Sequence, residues 1–119
     1  MRIKIDGKNP PTFTFSGNGN LIFLSLGEIH NNKPLTLEAP ELWKIKPSGD
    51  EPKVYDLLSI TYGIVPSGFI QVSPEGGAPP PLIEDKTYEF GGPNDNANGG
   101  SIWFTIQGGK SVEVPKPRK

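Results

Sequence analysis

Glycine and proline punctuate this chain so closely that no room is left for the amphipathic helices of ten or more residues that alternating helix and strand would need. Fifteen glycines and fourteen prolines stand among 119 residues, close to the proportion at which a chain stops folding. The leucine, isoleucine, valine and phenylalanine content nevertheless lies above the disordered range, so the chain is expected to fold. Eleven isoleucines and six phenylalanines face only three alanines and one methionine. Branched and aromatic side chains of this kind suit a pleated sheet, and the class they predict is all-β.

The pattern between the breaks predicts where the strands lie. Ile3 and Ile5 alternate with charged neighbours as a short edge strand, stopped by Gly7 and the Asn9-Pro10-Pro11 cluster. Phe13 and Phe15 alternate with threonines, and SGNGN (16–20) is expected to turn them back as a hairpin into LIFLSLGEI, a nearly continuous apolar run suited to a central strand. Residues 31–40 read as loop. Trp43 and Ile45 share one face of a strand that Pro47, Ser48 and Gly49 end, and Trp43 is read as core. Further strands are expected from Ser59, over Phe69–Val72, over Lys86–Phe90 and over Ser101–Gln107, the last turning through Gly108-Gly109 into Val112 and Val114. The sum is an antiparallel β-sandwich of immunoglobulin or fibronectin size, with about seven or eight short strands. It reads as one domain over residues 1–114 with a flexible basic tail at 115–119.

Charge and composition exclude whole classes of chemistry. Twelve basic against thirteen acidic side chains leave no electrostatic footprint for nucleic acid. Without cysteine there is neither a disulfide nor a thiolate metal site. No stretch approaches membrane-spanning length, and MRIKIDGKNPP lacks the apolar core of a signal peptide. The chain as it stands is expected to be soluble, cytoplasmic, or exported had a signal peptide been removed. No cofactor is implied.

Few motifs carry chemistry. His30 is the one histidine, and in EIHNN it reads as a turn-surface residue rather than a catalytic base or metal ligand. Glu84 with Asp85, and Asp50 with Glu51, are adjacent carboxylates that point to opposite faces or lie in loops, and read as solvated charge. Asn94, Asn96, Asn98 and Gly99 match part of a calcium loop, but Asn94 and Thr105 stand where carboxylates are needed, so a strand-connecting loop is the better reading. Pro79-Pro80-Pro81-Leu82 resembles a polyproline ligand, yet three prolines inside a domain more often hold a connection extended. Trp103 stands out: Ile102, Phe104 and Ile106 take one face of SIWFTIQ and leave Trp103 beside Ser101, Thr105 and Gln107 on the other. An aromatic among polar residues is the shape of a recognition spot, unless a loop covers it. Trp103, Thr105, Gln107 and Tyr88 are therefore the candidate binding residues. No catalytic or metal-binding residue is proposed.

W-K-I at 43–45, I-T-Y-G-I-V-P-S-G-F-I-Q at 60–71, P-P-P-L at 79–82 and K-T-Y at 86–88 together resemble a pattern of small bacterial β-domain proteins of unassigned function. The resemblance covers about half the chain and implies a bacterial source and a compact β domain, with no activity attached. The function expected on all these grounds is a non-catalytic binding or accessory domain that recognises a protein partner. One alternative is a carbohydrate-binding module in which Trp103 with Tyr55 or Tyr88 stacks on sugar. The other is a small enzyme built around carboxylates and His30.

Overall fold

The computed structural model describes residues 2–17, 20–29, 41–49, 53–54, 59–92 and 100–115. Among these, every regular element is a strand: β1 (Arg2–Ile5), β2 (Thr12–Ser16), β3 (Asn20–Leu21), β4 (Leu24–Glu28), β5 (Glu41–Pro47), β6 (Lys53–Val54), β7 (Ser59–Thr61), β8 (Phe69–Ser73), β9 (Thr87–Gly92), β10 (Gly100–Gln107) and β11 (Lys110–Val114). A 6-stranded antiparallel sheet in the order β11-β10-β9-β4-β5-β8 packs against a 3-stranded sheet β1-β2-β7, and β3 and β6 form a minimal 2-stranded ribbon. The molecule is thus an all-β sandwich. Its two main sheets hold nine strands among the described residues, against the seven or eight that the pattern predicts. No helix among the described residues is long and apolar enough to cross a membrane.

Strand parity builds the core. Phe13, Phe15 and Ile60 of the small sheet face Leu24, Leu26, Trp43, Ile45, Phe90, Ile102, Phe104 and Ile106 of the large one in a single apolar cluster. Phe90 is its centre: Phe13 stacks on it at 4.0 Å, Phe15 meets it edge-on at 6.0 Å and Trp43 lies parallel at 6.4 Å. Offset and edge-to-face contacts of this kind each add about 1 kcal/mol beyond area burial.

The hairpin expected across 16–20 does not form. β2 pairs with β1 and β7, while β4 pairs with β5 and β9, so the chain changes sheets between them. The side chains explain why. Leu24 to Gly27 are buried without alternation, which demands cover on both faces and a neighbour on both edges. The centre of the larger sheet supplies both. β2, with Phe13 and Phe15 buried and Thr14 exposed, suits the outer layer, where one face meets water.

The β10–β11 hairpin forms as the sequence predicts, with Gln107 paired to Lys110. Gly108 and Gly109 both take positive φ, 62° and 74°, the conformation that lets a two-residue turn match strand twist. Glu84 secures this turn from outside, its carboxylate accepting from the Gly108 and Gly109 N–H groups. One half of the adjacent acidic pair is therefore a turn clasp. Asp50 and Glu51 lie outside the described residues.

Candidate functional site

The large sheet ends at β8, and the chain must travel from there past β5 and β4 to reach β9. Residues 74–86 make this crossing as an extended strap, for which a proline run is well suited because it neither coils nor joins a sheet interior. Core side chains hold the strap from beneath. The Tyr62 hydroxyl donates to the Pro80 carbonyl at 2.7 Å. The Ile83 N–H donates to the Tyr88 hydroxyl oxygen at 2.8 Å, and Leu82 between them is buried in the core. Gln71 does three jobs: its Oε1 accepts from Trp43 Nε1 at 2.9 Å, and its Nε2 donates to the carbonyls of Pro74 and Gly77, each at 2.8 Å. Trp43 in turn meets Tyr62 edge-on at 5.4 Å. Residues that are scattered through the W-K-I, Y-G, G-F-I-Q, P-P-P-L and K-T-Y segments thus meet at one corner of the sandwich.

A second segment faces this corner. The β1–β2 connection is gathered by Asp6, whose carboxylate accepts from the N–H groups of Lys8 and Thr12, both at 3.0 Å. It is also tied to β11, since Ser111 Oγ donates to the Lys8 carbonyl at 2.7 Å. Tyr62 N–H completes the attachment by donating to the Pro11 carbonyl at 3.0 Å. Between the connection and the strap lies a cleft of about 250 Å³ lined by Asn9, Pro10, Tyr62, Gly63, Ala78, Pro79, Pro81 and Leu82. Both banks are held by buried or bonded groups, so the cleft is formed before anything enters it.

Its electrostatics are those of an uncharged apolar site. None of the eight lining residues is acidic, basic or histidine. The one titratable group is Tyr62, whose phenol burial, with the neighbouring Tyr88, pushes well above the ordinary 10.0. Tyr88 is pushed up too, chiefly by burial. The folded state therefore keeps these protons to a higher pH than the unfolded chain does, so the stability they supply is fully present below about pH 10 and lost as pH rises beyond it. Tyr62→Phe removes the strap bond and is expected to cost about 1 kcal/mol at neutral pH. It should also shallow the alkaline fall, which urea unfolding from about pH 8 to about pH 11 would read out; an unchanged alkaline slope would contradict this account.

Of the residues that the sequence singles out for binding, Trp103, Thr105 and Gln107 share one face of β10 and Tyr88 lies on the other. Trp103 is only 4% exposed and Thr105 is buried; Gln107 is exposed. Tyr88 is 1% exposed on the opposite, core side of the sheet. Register explains the division: Tyr88 pairs with Phe104 and shares its inward face, whereas Trp103 pairs with Glu89 and Val114. The alternation of Tyr88 with Phe90 already carried this signal. The indole of Trp103 is committed within the sheet, donating through Nε1 to Glu89 Oε2 at 2.9 Å, to which Ser101 Oγ also donates at 2.9 Å. His30, Tyr55 and the Asn94–Asn98 loop lie outside the described residues. Among the described residues no three acidic or histidine side chains gather as metal ligands.

What the sequence reading missed is the cleft. Its walls come from residues 9 and 10, 62 and 63, 78 and 79, and 81 and 82, which carry no reactive group beyond the Tyr62 phenol. The proline run was visible as an extended connection. Which segment it would face was not. In comparisons with protein-family models, curated proteins and solved structures, the chain has no significant match.

Proposed function

We propose that this domain is a non-catalytic recognition module that binds a protein partner at the cleft corner. The observation that carries the reading is a cleft whose eight lining residues are uncharged, with exposed large apolar residues next to lining residues in the chain. Ile64 is 62% and Ile83 56% exposed, each one residue along the chain from a lining residue, Gly63 and Leu82. Val65, two residues past Gly63, is exposed as well. Exposed large apolar residues and a preformed concavity are each a usual mark of a contact surface.

The alternatives draw less support. Sugar stacking requires open aromatic faces, and of the rings assigned to it Trp103 and Tyr88 are buried on opposite sides of a sheet. Catalysis requires an acid, base or nucleophile in the concavity, and the lining supplies none beyond a phenol that already donates to Pro80.

The test is capture. Tagged full-length chain is expected to enrich a discrete protein from a lysate of its source organism. The Ile64→Lys/Ile83→Lys double variant, altered only at exposed positions, should keep its melting temperature within a few degrees and lose at least about nine-tenths of that capture. Undiminished capture by the double variant, or no enrichment at all, would remove the proposal.

A further inference from the structure

We infer that the first half of the strap, residues 74–81, is a flap that lifts off the core as a unit while the second half, residues 82–86, stays in place. The motion belongs to the chain by itself and does not depend on a partner at the corner.

The two halves are anchored unequally. From Leu82 onward the attachments are of several kinds. Leu82 is buried in the core, and the Ile83 N–H donates to the Tyr88 hydroxyl oxygen. The Asp85 N–H donates to the Ile106 carbonyl at 2.8 Å, and the Ile106 N–H donates to the Lys86 carbonyl at 3.3 Å. Lys86 pairs with Glu28 at 3.0 Å, and Glu84 clasps the β10–β11 turn. Strands β4, β9 and β10 thus all hold this half.

Residues 74–81 have far less. Among the described residues they make no backbone–backbone hydrogen bond. Three bonds hold them, all from two side chains: Gln71 Nε2 donates to the carbonyls of Pro74 and Gly77, and the Tyr62 hydroxyl to that of Pro80. None of their side chains belongs to the buried apolar cluster, and Glu75 to Ala78, Pro80 and Pro81 are exposed. A segment with so few buried contacts opens locally at a cost far below that of global unfolding.

The backbone supplies a rod and a hinge. Pro79, Pro80 and Pro81 form a short stiff piece, because each ring fixes its φ. Gly76 and Gly77 precede it at positive φ, 73° and 77°, with open space where a Cβ would stand, so rotation there meets no obstacle. The latch is the side-chain amide of Gln71, whose Oε1 accepts from Trp43 Nε1. Opening takes both acceptors from its Nε2 and loosens its hold on the indole N–H, which therefore reports on the latch. A hydrogen bond of this kind shifts an equilibrium by about fivefold. Three together leave on the order of one molecule in a hundred open. The open state widens the cleft, since Ala78, Pro79 and Pro81 belong to its lining.

Hydrogen exchange on uniformly labelled full-length protein tests this, read by NMR at the Trp43 indole N–H and at the backbone amides. The expected protection of the indole is on the order of a hundredfold and insensitive to low urea, the signature of a local opening. The Ile83 amide, and the amides that pair β8 with β5, should be protected at least about tenfold more. Tyr62→Phe, which deletes the Pro80 bond, should speed indole exchange about fivefold. Gln71→Glu keeps an acceptor for the indole but deletes both donors to the strap, and should speed it at least about tenfold. If Gln71→Glu does not fold, Tyr62→Phe alone decides. An indole that exchanges only with global unfolding, Ile83 or β8 amides that exchange along with it, or a rate unmoved by Tyr62→Phe would each overturn the inference.

Discussion

Replacing Trp43 with alanine is expected to cost about 4 kcal/mol, at the upper end of what one core truncation does. Three losses combine at this residue. The ring is fully buried, so its removal opens a cavity against Phe90 and Tyr62, which it contacts at 6.4 Å and 5.4 Å. Its Nε1–H is the donor to Gln71 Oε1, and a part-buried acceptor left without a partner costs about 1–3 kcal/mol. Gln71 also carries the strap through Pro74 and Gly77, so the damage reaches the cleft. Trp43→Phe separates these parts: it keeps most of the ring and loses the donor, and about 2 kcal/mol is expected. Equilibrium urea unfolding gives both values. A loss under about 1 kcal/mol for Trp43→Ala would mean that the indole is not the keystone described here.

Gly91→Ala and Gly92→Ala are expected to cost on the order of 3 kcal/mol each. Glycine to alanine in a strand is ordinarily neutral or stabilising, because alanine has less unfolded-state entropy to lose. Here the sign reverses for a steric reason. A Cβ on Gly91 would stand 2.1 Å from the Gly100 carbonyl oxygen and 2.6 Å from Ser101 Cα. On Gly92 it would stand 2.1 Å from the Phe23 carbonyl oxygen. The obstructing atoms are backbone, which cannot swing aside as a side-chain tip can. Relief requires moving β10 or the start of β4 away from β9, at the register positions Gly92–Gly100, Gly91–Ser101 and Gly91–Ser25. Thermal unfolding of the two variants checks the expectation, and an unchanged or raised melting temperature in either would contradict the close approach.

These glycines show how a local rule is overridden. The segment GGPNDNANGG (91–100) has the Asn and Gly content of a strand-connecting loop, where the value of a glycine is positive φ. In the structure Gly91 and Gly92 belong to β9, and neither is among the positive-φ glycines. What they provide is the absence of a side chain where two neighbouring strands come close. Gly108 and Gly109, by contrast, serve the turn that their spacing announces, because the conformation of a two-residue hairpin turn is set within its own four residues, with the Glu84 clasp added to it.

The same division runs through the whole molecule. Composition and period settled that the chain is all-β, where most strands lie, that Trp43 and Ile45 face inward and that the strap is extended, because all of these follow from backbone preferences and side-chain parity within a few residues. Only the tertiary structure decided that β2 and β4 part company, that Tyr88 lies beneath the sheet from Trp103, and that Asn9 and Pro10 face Pro79 and Pro81 across a cleft. Those outcomes depend on which strands become neighbours, a choice made by the total apolar surface buried when distant segments meet. No short window of residues contains that sum.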